Sequence, residues 1–235
     1  MTGEVLKLGE QWIVGELIGT GGFGRVYALE DSDPPAVAKF VPKDPESARE
    51  LLFVDLDDAV NVVPIVDSGE HENHWVLVMP RAERSLRDLL NSTPGGLEPS
   101  ESVDVLLDVS RSLESLEDGV VHRDLKPDNV LLLGGSWCLA DFGIARYAEA
   151  STAPDTRKYS LTPQYAAPEQ WRFDRATSAT DVYALGVMGY EMMAGELPFQ
   201  GPKAEDFREQ HLYQNPPSLT TVPVPFSTLI NECLF

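Results

Sequence analysis

Residues 119–143 read GVVHRDLKPDNVLLLGGSWCLADFG, and four polar side chains in this stretch could do chemistry. The order is a short apolar strand, a polar turn, a strand, a Gly-Gly hairpin and a last strand ending at Asp141. It aims Asp124, Lys126, Asn129 and Asp141 at one edge. Two aspartates and an asparagine offer hard oxygen ligands of the kind Mg²⁺ takes, with substrate phosphates completing its shell. The lysine adds a positive charge for a phosphate.

A second signal lies nearer the N-terminus. GTGGFGRVYALE, residues 19–30, sets glycines at 19, 21 and 24 in a G-x-G-x-x-G pattern, shared by dinucleotide-binding turns and by loops that cover ATP. A dinucleotide turn must open a helix whose N-terminus faces the pyrophosphate. Here a strand follows instead, then the turn residues DSDPP and a second strand, AVAKFV, carrying Lys39. A hairpin whose glycines only permit tight backbone geometry fits this stretch as well.

The elements that must position these residues fall into two groups. The first ~80 residues are strand-rich, with VVPIVDSGE and HWVLVMP expected as a further hairpin. One helix interrupts them, signalled by an N-cap aspartate and a proline at Asp44-Pro45-Glu46 and continuing through SARELLFVDL. From Ser85 onward the pattern turns helical. SVDVLLDVSRSLESL is expected to bury a face made of Val103, Leu106, Leu107, Leu113 and Leu116. SATDVYALGVMGYEMMAG is apolar almost all round, as in a helix running through a domain centre, with Gly195 as its C-cap.

Composition narrows the function. The chain has 235 residues, 43% hydrophobic and 24% charged, enough for one large domain or two small lobes. A net charge of −20 argues against nonspecific nucleic-acid binding and against docking on anionic lipid. The acidic runs EDSD, DLDD, EHEN and ESLEDG read as solvated surface. Cys138 and Cys233 lack the spacing of a zinc site or a disulfide framework, and no apolar run or signal peptide stands out. A cytoplasmic location without a membrane segment is expected.

H-R-D-L-K-P-D-N followed by D-F-G, taken with the glycine turn and the A-P-E of LTPQYAAPEQ, resembles eukaryotic-type serine/threonine protein kinases from about Trp12 to the last residue. The resemblance implies an α+β, bilobal protein-kinase fold. A small antiparallel N-lobe with one helix would span about residues 12–80, a hinge 81–85, and a larger, mainly helical C-lobe 86–235. It also implies ATP with Mg²⁺, or Mn²⁺, as cofactors and protein serines or threonines as substrates, with self-association for autophosphorylation and no nucleic-acid partner.

Roles follow by the same resemblance. Gly19, Thr20, Gly21, Gly22, Phe23 and Gly24 would cover the phosphates, and Val26, Val37, Met79, Ala82 and Leu131 would surround the nucleotide. Lys39 would hold the α- and β-phosphates. Its expected anion partner is Glu50, which lies 20 residues before Glu70, rather than Glu46 in the first helical turn. Asp124 would orient the substrate hydroxyl, Lys126 would neutralise the transferring group, and Asn129 and Asp141 would hold the metal.

Thr162 would lie beside the peptide site. Glu169 would be a structural ion-pair member, Asp181 would bond to the catalytic-loop backbone, and His122 and Phe142 would be core. Arg123 and Arg146 would receive a regulatory phosphate on Thr156 or Thr152.

Three departures qualify the resemblance. Val37 replaces the family's alanine two residues before the lysine, which predicts crowding at the adenine. Leu161 replaces a usual glycine. FSTLINECLF looks like one of the family's last helices, so the arginine that usually pairs with Glu169 is expected to be missing together with the helices that follow. Val37 and this ending leave a pseudokinase or regulatory binding module as the competing expectation.

Overall fold

The computed structural model describes residues 2–21, 24–43, 59–116, 120–141, 161–220 and 222–234. Six strands, β1 (Val5–Lys7), β2 (Gln11–Gly21), β3 (Gly24–Glu30), β4 (Ala36–Pro42), β5 (Asp67–His71) and β6 (His74–Pro80), form an antiparallel sheet in the order β1-β2-β3-β4-β6-β5. The sheet thus begins at Val5, ahead of Trp12. In the expected second hairpin the strand starts only at Asp67, while Val62 makes an isolated parallel bridge to Leu139.

Strand periodicity divides β4 between two surfaces. Ala36, Ala38 and Phe40 pack with Leu6, Val14, Tyr27, Leu29, Val76 and Val78 in one core. Val37 and Lys39 take the opposite face, in register with Met79 and Leu77 of β6. The sheet curls until its edges meet: Asp67 of β5 accepts the N–H of Gly9 at 3.0 Å, of Glu10 at 2.9 Å and of the Trp12 indole at 2.7 Å. His71 adds a 2.8 Å contact to Glu4.

A second sheet, β7 (Arg84–Ser85), β8 (Val130–Leu133) and β9 (Ser136–Leu139), opens the larger lobe. Ser85 caps α1 (Leu86–Ser92): its hydroxyl accepts the Asp88 N–H at 3.1 Å, and the Asp88 carboxylate accepts the Ser85 N–H at 3.0 Å. Such reciprocal capping satisfies two orphan donors. The remaining helices among the described residues are α2 (Pro99–Ser115), α3 (Pro168–Trp171), α4 (Ser178–Ala194), α5 (Ala204–Tyr213) and α6 (Val224–Cys233).

Helix α4 is the hub, buried around its whole circumference from Thr180 to Met193 except at Val182. It ends at Gly195, whose φ of 74° is a left-handed cap that favours glycine. Helix α6 packs against it closely, with a Cβ at Gly186 only 2.7 Å from Cys233 Cβ.

Helix α2 departs from the expected face. Its fully buried stripe is Ser102, Val105, Val109 and Ser112, whereas Leu106 and Leu113 are partly buried and Leu107 is 48% exposed. Ser112 satisfies its hydroxyl in that stripe, donating to the Asn61 carbonyl at 2.7 Å, whereas the Ser102 hydroxyl is buried without a hydrogen-bond partner among the described residues.

Candidate active site

A cavity of about 420 Å³ opens between the two sheets, with Val26, Val37, Lys39, Met79, Leu131 and Asp141 among its walls. Ala82 and Gly19 also face it. The turn geometry above it has a steric cause: Gly24 has φ 143°, and a Cβ there would sit 2.1 Å from the Phe40 carbonyl oxygen. Only glycine lets β3 approach β4 so closely. Gly21 pairs with Gly24 across the turn, and Thr20 is exposed.

Val37 is 7% exposed and lies in the cavity wall, while Ala38 faces the opposite core. The larger side chain therefore stands where the sequence places it. Ile18, Val63 and Ala140 line the same space without having been singled out by sequence. Each is an ordinary apolar residue of its segment, so its role depends on the fold.

At the inner end, Lys39 Nζ lies 2.5 Å from Asp141 Oδ1. Lys39 is 6% exposed, so its charge has little water to rely on and the carboxylate compensates it. Asp141 follows Ala140, whose N–H bonds to the Asn129 carbonyl at 2.9 Å, and this contact holds together the two metal-ligand candidates, Asn129 at the end of the short 3-10 turn before β8 and Asp141 just after β9.

The loop bearing Asp124 is fixed from beneath by α4. Asp181 accepts the N–H of His122 at 2.7 Å and of Arg123 at 2.8 Å. Burial pushes the Asp181 carboxyl up from its ordinary pKa, against the pull of these donors. Arg123 has φ 68°, a left-handed conformation unusual outside glycine, and its carbonyl accepts the Gln170 amide at 2.8 Å. The buried His122 ring contacts the Ala140 carbonyl through Nε2 at 2.8 Å and the Asp124 N–H through Nδ1 at 3.4 Å. Together these favour the neutral tautomer with the proton on Nε2.

Asp124 is the centre of a small polar network. Thr162 donates its hydroxyl to Oδ1 at 2.5 Å, and Lys126 reaches Oδ2 at 2.6 Å and Thr162 Oγ1 at 3.1 Å. The Asn129 side-chain NH₂ donates to the Asp124 carbonyl at 2.8 Å, an orientation that leaves the amide oxygen, a lone-pair donor to metals, suited to a cation. Asn129 and Asp141 thus fit a hard divalent cation by ligand chemistry and by proximity along the backbone.

A second cavity, about 470 Å³, opens beside this network, with Lys126 and Thr162 in its wall. Asp128 borders both cavities. Its opposite wall carries a cluster that the sequence reading missed. Arg87 Nη1 donates to Glu191 Oε1 at 2.7 Å, Arg87 Nη2 also reaches the Tyr165 hydroxyl, and that hydroxyl donates to Glu191 Oε2 at 2.5 Å. Burial and then the Glu191 charge push the Tyr165 phenol up; for Arg87, burial works against the charge but is outweighed by Glu191, Tyr165 and Asp128 together, which hold its proton more tightly than usual. The only sequence signal would have been a glutamate inside an otherwise apolar helix.

Glu169 has a partner after all. Thr180 donates its hydroxyl to Glu169 Oε1 at 2.5 Å. Leu161 packs in an apolar cluster with Ala166, Trp171, Phe199 and Phe207. Gly22, Phe23, Glu50, Phe142, Arg146, Thr152 and Thr156, and the helix expected from Asp44, lie outside the described residues.

Comparison with known proteins gives a consistent result. The sequence matches the protein kinase domain family over residues 12–234. It is similar to the serine/threonine-protein kinase pkn2 of Myxococcus xanthus, 35% identical over 216 residues covering 83% of this chain and 25% of that protein. The serine/threonine-protein kinase PkaA of Streptomyces coelicolor is 33% identical over 258 aligned positions, covering 97% of this chain and 47% of that protein. For PrkC of Bacillus subtilis, also a serine/threonine-protein kinase, the identity is 32% over 215 residues, 86% of this chain and 33% of that protein. The chain therefore spans between a quarter and about half of the length of these relatives. Among the described residues, no helix is long and apolar enough to cross a membrane.

Proposed function

The chain belongs to the protein kinase domain family and has its bilobal fold, and from that premise we propose that it transfers the γ-phosphoryl group of ATP to serine or threonine hydroxyls of proteins. The observation that carries this reading is the position of Asp124. It is bonded to Lys126 and Thr162, which wall the second cavity, and to Asn129, which directly precedes β8, the strand whose Leu131 lines the first. One carboxylate therefore stands where a nucleotide in one cavity and a hydroxyl in the other would meet.

The division of labour follows from charge and reach. Lys39 binds the α- and β-phosphates from the cavity's inner end. Asn129 and Asp141 hold a divalent cation, Mg²⁺ or Mn²⁺, which when bound neutralises phosphate charge. Asp124 orients the acceptor hydroxyl and takes its proton as the hydroxyl oxygen bonds to the γ-phosphorus and the bond from that phosphorus to the β,γ-bridging oxygen breaks, releasing ADP, while Lys126 offsets charge on the transferring group. Little covalent chemistry is asked of the protein, and positioning with electrostatic stabilisation carries the rate. A binding module without transfer would have no use for Asp124, Lys126 and Thr162 in mutual contact.

Substrates are proteins, and the chain itself is one of them: self-association would place Thr156 or Thr152 of one copy in the site of another. Incubation with γ-labelled ATP and Mg²⁺, with and without an acceptor peptide, tests the reading. Label should appear on serine or threonine in the wild type and form about 10²–10⁴-fold more slowly with Asp124→Asn. No label on any acceptor from the wild type would overturn it.

A further inference from the structure

The peptide unit between Arg123 and Asp124 carries the proposed proton acceptor, and its two polar atoms are held unequally. Its N–H, that of Asp124, meets His122 Nδ1 at 3.4 Å, the long end of a hydrogen bond. Its carbonyl, that of Arg123, accepts the side-chain amide of Gln170 at 2.8 Å. Asp181 fixes the N–H groups of His122 and Arg123, both of which precede this unit. Rotation about ψ of Arg123 would leave those two bonds intact and still swing Asp124 away. Gln170 is the contact that opposes such rotation, at a residue whose φ of 68° is costly outside glycine.

The same side chain reaches the segment that carries Thr162. Gln170 Oε1 accepts the Ala167 N–H at 3.0 Å, at the start of α3. The residue before, Ala166, donates its N–H to the Thr162 carbonyl at 3.1 Å, and the Thr162 hydroxyl donates to Asp124 Oδ1 at 2.5 Å. A ring of contacts thus runs from Asp124 through Thr162, Ala166, Ala167 and Gln170 to Arg123 and back. Closing it takes a side chain with a donor and an acceptor at one tip, and a primary amide supplies both.

We propose that Gln170 is a positioning residue: by clamping the Arg123 carbonyl it sets the direction in which Asp124 presents its carboxylate to the acceptor hydroxyl, and through Ala167 it ties that direction to the Thr162 segment. This deepens the proposed kinase activity and rests on it for the identity of the reaction.

Gln170→Glu is the discriminating change. It keeps the shape and an acceptor for the Ala167 N–H, but an ionised carboxylate has no hydrogen to give the Arg123 carbonyl. Its kcat should fall about fivefold to tenfold, the worth of one net hydrogen bond, while nucleotide Kd changes by less than about twofold. Gln170→Met loses both bonds and should lose at least as much kcat and melt lower. Should it fold poorly, Gln170→Glu still carries the test. In the Asp124→Asn background, Gln170→Glu should cost less than about twofold, because the carboxylate it positions is gone. A merely structural role would give the same loss in both backgrounds.

Hydrogen exchange of the amides in residues 122–129, read by mass spectrometry, follows the clamp without turnover and separates the two claims. Exchange should be several-fold faster in Gln170→Glu than in wild type. A wild type that transfers no phosphoryl group overturns the kinase reading, while exchange still decides whether Gln170 holds the loop. Unchanged exchange in Gln170→Glu overturns the proposal. So does an unchanged kcat, or a loss of kcat that is undiminished in the Asp124→Asn background.

Discussion

Lys39 Nζ and Asp141 Oδ1, 102 residues apart in sequence, lie 2.5 Å from each other across the cavity between the two sheets. The contact ties β4 to the segment after β9, so the lysine proposed to hold the nucleotide and the metal-ligand candidate cannot be perturbed independently. Asp124 belongs to a different network, with Thr162 and Lys126.

This separation predicts two kinetic signatures. Asp124→Asn should lower kcat by about 10²–10⁴-fold, the range for loss of a positioned proton acceptor, with nucleotide affinity nearly unchanged. Asp141→Ala should abolish transfer and weaken nucleotide binding as well, because it removes a proposed metal ligand and leaves Lys39 without this partner. Steady-state rates and calorimetric nucleotide titrations check both. Near-normal turnover in either variant would remove that residue from its role.

Val37 stands in the wall of the cavity proposed to hold the nucleotide, where crowding is expected. Val37→Ala should tighten ATP binding by about fivefold, on the order of 1 kcal/mol of relieved overpacking. The same change removes two buried methyl groups and should lower stability by about 1–2 kcal/mol. Calorimetry and thermal melting measure the two effects separately. Weaker nucleotide binding in the alanine variant would mean that valine fits the adenine well.

Different parts of the molecule were legible in the sequence for different reasons. The loop from His122 to Asn129 was readable because its chemistry is concentrated in a few consecutive residues whose turn and strand signals fix their relative placement. Helix α4 was readable because complete burial demands apolar residues all round. Helix α2 misled because Ser102 and Ser112 sit on its buried stripe while Leu107 stays outside, and hydrophobicity alone ranks them in reverse. Arg87, Tyr165 and Glu191 were invisible because Arg87 lies 78 and 104 residues from its two partners. No local pattern encodes that meeting.

Thr180 and Glu169 give a stability prediction. The Thr180 hydroxyl, on a residue 1% exposed, donates to Glu169 at 2.5 Å and accepts the Thr177 N–H at 3.0 Å. Thr180→Val keeps the shape and removes both bonds, which should cost about 1–3 kcal/mol. Thr180→Ser should retain most of that. Chemical denaturation of the three proteins decides the matter: equal midpoints for valine and threonine would show that Glu169 does not depend on this hydroxyl.

His211 of α5 predicts the acid sensitivity of the substrate side of the site. Its ring is 5% exposed among Trp171, Phe199, Phe207 and Tyr183, with Nδ1 accepting the Tyr183 hydroxyl at 2.7 Å and Nε2 buried without a partner in hydrogen-bonding geometry. Burial lowers its pKa from 6.5 to about 4, against the opposing pull of the nearby Gln164 and Pro163 backbone. Between these two values the unfolded chain binds more protons than the folded one, so stability rises with pH there and falls on acidification. The contribution is fully present above the unfolded value of 6.5. By pH 5.5 the loss should be about 1 kcal/mol, equivalent to roughly 2–4 °C in a domain of this size. Wild type taken from pH 7.5 to 5.5 should therefore lose about that much more in Tm than His211→Phe, which has nothing to protonate. Because Pro163 and Gln164 follow Thr162, the hydroxyl donor to Asp124, peptide KM should rise over the same interval in wild type and less in the phenylalanine variant. Parallel declines in Tm for the two proteins would place the acid-sensitive group elsewhere.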